Sequence, residues 1–293
     1  MARWFPRMCA YTDYSGWQNK QFLGKGEFTL EFGDFDLSIT VPDNFIVACT
    51  GELQNPREVL TLEQQKRLEA SKKSARPIFI ISPNEAKMNE LSISNKYKTW
   101  RFKAKNIRDA SWAASKKFIW DAWGVNDKKN EFITLAMSFY PNEAEPLWSK
   151  YSTQAIAHAI EVYSDLAFPY PYPVAISVNG PVSGMEYPMI TFNGPRPEKD
   201  GTYSKYLKYR LITVIIHEVG HFWFPMIINS DERQWTWLDE GINTFCQFVA
   251  EQRWEDKYPS RRGEPEKIIK YMTSNNQVPI MTNSESILQF GNN

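Results

Sequence analysis

An α+β fold is predicted for this chain by three features of its 293 residues. Apolar residues alternate with period two in the first third, the period turns helical after about residue 131, and one later helix is apolar on every side at its centre. They divide the chain into a strand-rich stretch, 1–130, and a part of mixed strands and helices, 131–293.

In the first stretch Phe28, Leu30 and Phe32 alternate, and Phe35, Leu37, Ile39 and Val41 resume with the parity broken at Gly33-Asp34. A bulge or tight turn at Gly33 accounts for the slip. Phe45 to Cys49, Ile78 to Ile81 and the alternating Trp100, Phe102 and Ala104 give further strands of a half-buried sheet. Thr61 to Lys73 is a polar surface helix carried on Leu62 and Leu68. Beyond residue 131, Phe132 to Phe139 is a strand and Glu143 to Leu166 a long helix with Ile156, Ile160 and Val162 as apolar members. The Pro169-Tyr170-Pro171-Tyr172-Pro173 run is an extended connector, because successive prolines remove donors and forbid helix. Val174 to Val178 and Met185 to Phe192 are strands, and Tyr203 to Phe224 is the helix with the apolar centre, Leu211 to Ile216. Trp237 to Trp254 is a helix with Leu238, Ile242, Phe245 and Val249 on one face and Glu240, Thr244 and Gln247 on another.

Composition excludes several classes. Hydrophobic residues at 42% and aromatic residues at 15% rule out a disordered chain. Basic and acidic residues balance at 34 each, and the densest basic patch, Lys66 to Arg76, is interrupted by Glu69, so no electrostatic footprint for nucleic acid exists. No stretch approaches the roughly 18 to 20 apolar residues of a membrane span. Cys9, Cys49 and Cys246 are odd in number and show no paired spacing, which indicates neither a disulfide framework nor a thiolate zinc site. The residues after Met1 form no signal core or transit peptide, which leaves cytoplasmic and exported settings both open, as is the oligomeric state.

Chemistry concentrates at His217-Glu218-Val219-Gly220-His221. Residues four apart share one helix face, so both imidazoles can reach one ion at about 2.0 to 2.1 Å. Glu218 lies about 100° round the helix, able to touch water held by that ion without taking a coordination position, as a general base requires. Two of the chain's three histidines fall in this motif, on a helix where uncoordinated imidazoles and a carboxylate are costly to bury. Glu240, opening the following helix, supplies a carboxylate as third ligand. Two neutral imidazoles and one carboxylate leave the ion near +1, with one open place for water. Thr244 or Asp239 is a candidate to orient a ligand from behind. His158 has no His or carboxylate at ligand spacing and is an ordinary helix histidine.

These residues resemble peptidase family M1, the gluzincin zinc aminopeptidases, whose signature is HExxH, eighteen residues, then Glu. Residues 222 to 239 supply the interval, Trp223-Phe224 and Trp237-Leu238-Asp239-Glu240-Gly241 match the flanks, and Gly184-Met185-Glu186-Tyr187-Pro188 looks like the family's GxMEN exopeptidase motif. Trp4-Phe5-Pro6 and the strands to residue 130 are similar to the later part of the family's N-terminal β domain. The resemblance implies a saddle-like or sandwich-like β domain, incomplete here, before a truncated thermolysin-like catalytic domain. It also implies one Zn²⁺ on His217, His221 and Glu240, with Glu218 as catalytic base. Peptides with a free N-terminus would be the substrates, bound through Gly184, Met185, Glu186 and Tyr187, with Glu186 holding the α-amine and Met185 to Thr191 pairing with the extended peptide.

Tyr187 stands where the family's usual residue is Asn, offering one phenol in place of two donors and an acceptor. The family's oxyanion-donating Tyr is expected beyond the chain end, since Tyr258 and Tyr271 lack its context, and the chain is expected to be an internal fragment of a longer protein. Zinc-dependent aminopeptidase activity is the expectation. The alternatives are an endopeptidase or epoxide-opening hydrolase on the same zinc site, or a non-catalytic scaffold that would not need Glu218.

Overall fold

Pairing of the alternating segments builds the N-terminal sheets. The computed structural model describes residues 4–20, 28–126, 132–279 and 281–286. Its early strands are Gly33–Pro42 (β1), Ile46–Cys49 (β2), Glu52–Leu53 (β3), Ile78–Ile81 (β4), Tyr97–Ile107 (β5) and Trp112–Ser115 (β6). β5 pairs antiparallel with β1 on one side and β3 on the other, and β2 pairs with β6. The register of β1 shifts between Gly33 and Phe35, where the parity break in the sequence calls for a bulge. The earlier alternation, Phe28 to Phe32, forms no strand; Leu30 makes an isolated bridge to Cys9. Leu62–Ser71 (α1) begins at a capping box in which Thr61 and Gln64 each bond the other's backbone.

A second, six-stranded sheet is made of β4 with Ile119–Val125 (β7), Thr134–Tyr140 (β8), Val174–Asn179 (β9), Gly184–Tyr187 (β10) and Ile190–Asn193 (β11), in the order β10-β11-β9-β8-β7-β4. β8, β9 and β11 run parallel, and the outer pairings are antiparallel. The boundary expected near residue 130 falls in 127–131, outside the described residues. The strands flanking it are neighbours in this sheet, with Trp123 opposite Ala136. Period-two geometry sends the two sets of β8 side chains to opposite faces. Leu135, Met137 and Phe139 line a cavity of about 680 Å³ shared with Val47, Trp100 and Phe102. On the other face Ser138 bonds Ser152 at 2.7 Å and Tyr140 packs on Trp148, both on the helix Leu147–Leu166 (α2).

Several expected elements differ in extent. The helix predicted from Glu143 starts at Leu147, after a 3₁₀ turn at Asn142–Ala144, because Pro146 holds Glu145 extended. Met185 to Phe192 is not one strand but the hairpin of β10 and β11, turned at Pro188 and Met189, which takes φ 64°. Met185 therefore stands opposite Phe192. The helix predicted to run to Phe224 is Lys205–Gly220 (α3), with Ser204 capping its start and His221 at its C-cap. The last predicted helix opens with a π turn, Trp237–Gly241, before Ile242–Trp254 (α4). Its apolar face is not its buried one: Phe245 is 65% exposed, whereas Asn243, Gln247 and Glu251 are buried. No described helix is long and apolar enough to cross a membrane.

Candidate metal centre

α3 stacks His217 and His221 with ring centroids 4.7 Å apart and their Nε2 atoms separated by 3.1 Å. The π turn brings Glu240 Oε2 to 3.2 Å from His217 Nε2 and 3.9 Å from His221 Nε2. A tetrahedral ion with bonds of about 2.0 to 2.1 Å spaces its ligand atoms by about 3.4 Å, so the three atoms fit one such ion.

The far nitrogen of each ring says which proton it carries. Glu251 Oε1 accepts from Gln247 Nε2 at 2.7 Å and from Thr213 Oγ1 at 2.9 Å, which turns Gln247 Oε1 toward His217 Nδ1, 2.9 Å away. An amide oxygen only accepts, so His217 Nδ1 carries hydrogen, and in the neutral ring Nε2 is the open lone pair. His221 Nδ1 lies 2.8 Å from both Phe224 O and Asp239 Oδ1, again acceptors only. When neutral, the two rings thus face each other through Nε2 lone pairs 3.1 Å apart in a largely buried site. A cation between them relieves that repulsion, and the donor set suits zinc. Asn243 steadies the same turn, donating to His217 O at 2.9 Å and accepting from Tyr163 Oη at 2.7 Å.

Negative charge surrounds the pair. Burial pushes the His221 pKa down, yet Glu186, Asp239 and Glu240 outweigh it and hold it well above the usual histidine range. Burial pushes the Glu240 carboxyl up, but the hydrogen bond to His217 and the charges of both histidines bring it to about 2. Glu218 is raised, chiefly by burial and secondarily by Glu240, against the opposing pull of His217 and His221. Its Oε2 has no hydrogen-bond partner among the described residues.

β10, an edge strand, reaches this carboxylate because residue 184 is glycine. A Cβ there would overlap Glu218 Oε1 and crowd Val214. Glu186 is thereby carried to the site, where it, Glu218 and His221 have ligand atoms within 4.8 Å of one another. Met185 and Tyr187 line a small hollow beside it, and the Tyr187 ring packs edge-on against Phe192.

Of the residues proposed to orient ligands, Asp239 meets His221, whereas Thr244 is half-buried and accepts from Arg262. Counting one regular turn from Glu240 fails because the π turn shifts the phase of the helix. Gln247, Asn243 and Tyr163 were not singled out from the sequence. Their signal was polar residues at 243, 247 and 251, four apart on a helix otherwise apolar on its buried side. His158 bonds Ala250 O at 2.8 Å and packs on Trp254, away from the centre.

The loop between His221 and Glu240 is tied to the N-terminal sheets. Arg108, 3% exposed, bonds both oxygens of Glu232, at 2.6 and 3.1 Å, and also Asn229 Oδ1. Thr29 donates to Asp231, and Thr50 donates to Pro188 O in the β10–β11 turn.

No protein-family model and no curated protein matches the sequence. By structure, the chain is similar to the M1 zinc metallopeptidase of Deinococcus radiodurans, with TM-score 0.50 and 18% identity over 77% of this chain and 42% of that one. A mutant of that enzyme bound to a Tyr-Ser-Ala substrate gives the same values. A two-domain M1 zinc metallopeptidase mutant bound to L-arginine aligns at 17% identity and TM-score 0.50. These likenesses show the α+β fold with its β-sheet part. The chain spans 42% of the length of those structures.

Proposed function

We propose that this chain forms the central part of an M1-type zinc metallopeptidase that removes N-terminal residues from peptides. The observation that carries the proposal is the convergence of two imidazole Nε2 atoms and the Glu240 carboxylate, beside a buried Glu218 whose Oε2 has no hydrogen-bond partner among the described residues. His217, His221 and Glu240 would hold the zinc, with 1–130 as the β part and 131–293 as the catalytic part sharing one sheet. When bound, zinc supplies Lewis acidity, polarising a carbonyl and lowering the pKa of water toward about 7.

The chain's own residues do the rest. Glu218 Oε2 takes the proton of the attacking water, and the raised pKa imposed by burial suits the carboxyl to hold that proton and then give it to the leaving amine. Gln247 and the Phe224 carbonyl keep both imidazoles in the tautomer that leaves Nε2 open. Glu186 pairs with the substrate's α-ammonium, favouring unblocked N-termini. β10 is the edge strand of its sheet among the described residues, and its outer side would offer backbone groups to an extended peptide.

The test is mass spectrometry of a peptide pool, half free and half N-acetylated, incubated with the zinc-loaded protein, with Glu218→Gln as the blank. Loss of single residues from free peptides alone is expected, and the variant should lose about 10²- to 10⁴-fold in rate while keeping its zinc. Internal cuts in both halves would mean an endopeptidase and remove the amine-anchoring role of Glu186.

A further inference from the structure

Beside His217, a cavity of about 620 Å³ opens along α3 from Lys205 to His217, against Gln247 and Glu251 of α4 and the segment after it. His217 belongs to its wall; Glu186, Glu218 and His221 do not. Four cations line it, Lys205, Arg210, Arg261 and Arg262, against the single carboxylate of Glu251. Glu251 is buried and engaged with Thr213 and Gln247, whereas all four cations are exposed. None of the four is held in an ion pair among the described residues. Arg261 donates to Tyr206 Oη at 2.6 Å and Arg262 to Thr244 Oγ1 at 2.5 Å, so two guanidinium groups are positioned by neutral partners with donors to spare.

The site therefore has an electrical direction. Glu186 lies at the His221 end, the metal triad in the middle and the basic cavity at the His217 end. A peptide anchored by its ammonium group at Glu186 and crossing the triad would deliver its C-terminal side to that cavity. We propose that the cavity binds a carboxylate of the peptide's C-terminal side, so that the preferred substrates are short peptides with a negative charge shortly after the cleaved bond. The run of the peptide rests on the peptidase proposal; the carboxylate site rests on the cavity. A free C-terminus and an acidic side chain present the same chemistry, and Arg matches its two oxygens.

Calorimetric titration of the zinc-loaded Glu218→Gln protein separates the sources. The probes are Leu-Gly-Gly as acid and as amide, then Leu-Asp-Gly-amide against Leu-Asn-Gly-amide. Binding about tenfold tighter for the acid or for the Asp peptide is expected, with the source identified by which pair differs. The preference should vanish in about 1 M salt and in the Arg210→Gln, Arg261→Gln double variant. Equal binding within both pairs at low salt, or a preference that survives salt and double variant alike, overturns the proposal. A carboxylate preference in a protein that cuts no peptide would keep the cavity and discard the peptidase. Peptide cleavage without the preference would do the reverse.

Discussion

Gln247 shows how one side chain can set the chemistry of another. Its amide is oriented from behind by Glu251, and its oxygen fixes the proton on His217 Nδ1. Gln247→Met keeps the volume and removes the acceptor, so zinc affinity should fall about 10- to 100-fold in competition with a chelator. Unchanged affinity would mean that the ring is oriented by packing alone. The pair His217 and His221 was legible in the sequence because helical spacing alone stacks residues four apart. Gln247 was not, because it meets His217 only through the crossing of two helices, and no spacing along the chain encodes that crossing.

Elements carry a second titratable feature, away from the metal centre. Asp121 on β7 accepts from Tyr140 Oη of β8 at 2.5 Å and from Thr153 of α2. Complete burial lifts its carboxyl to about 7, against the smaller opposing effect of those hydrogen bonds. The folded pKa lies above the ordinary 3.8. The strand–helix contact is thus fully stabilised by the protonated group below about pH 4 and loses that contribution as pH rises through about 7. Asp121→Asn should flatten this slope: relative to the variant, the parent's thermal midpoint should fall between pH 5 and pH 8. Parallel curves would show that the group titrates normally. Strand identity was legible from alternation, but the ends of elements were not. The β10–β11 turn hides in an apolar run whose one cue is Pro188, and the π turn at Glu240 has no periodicity of its own to announce it.

Across the whole molecule, the sheet and the Arg108–Glu232 pair join what the sequence divides. Periodicity reads each segment alone, so it could not show that β4 and β7 complete a sheet begun by later strands. Because the pair is buried and bidentate, Arg108→Gln removes both of these hydrogen bonds from the buried Glu232 carboxylate, and about 3–5 kcal/mol of stability should be lost. A lower urea midpoint at unchanged slope would register the loss; an unmoved midpoint would show that the other surroundings of Glu232 suffice. The same variant loosens the loop that separates His221 from Glu240.

Strand order also fixes a sequence of events in time. β7 and β8 are made one after the other, but β9, the parallel neighbour of β8, follows only after the whole of α2. At about 5–20 residues per second of synthesis, the far edge of β8 waits for seconds, offering a buried-type apolar strand to any passing partner. Glu240 emerges later still. Any cation it helps to hold can therefore complete its ligand set only after every strand of that sheet has been made.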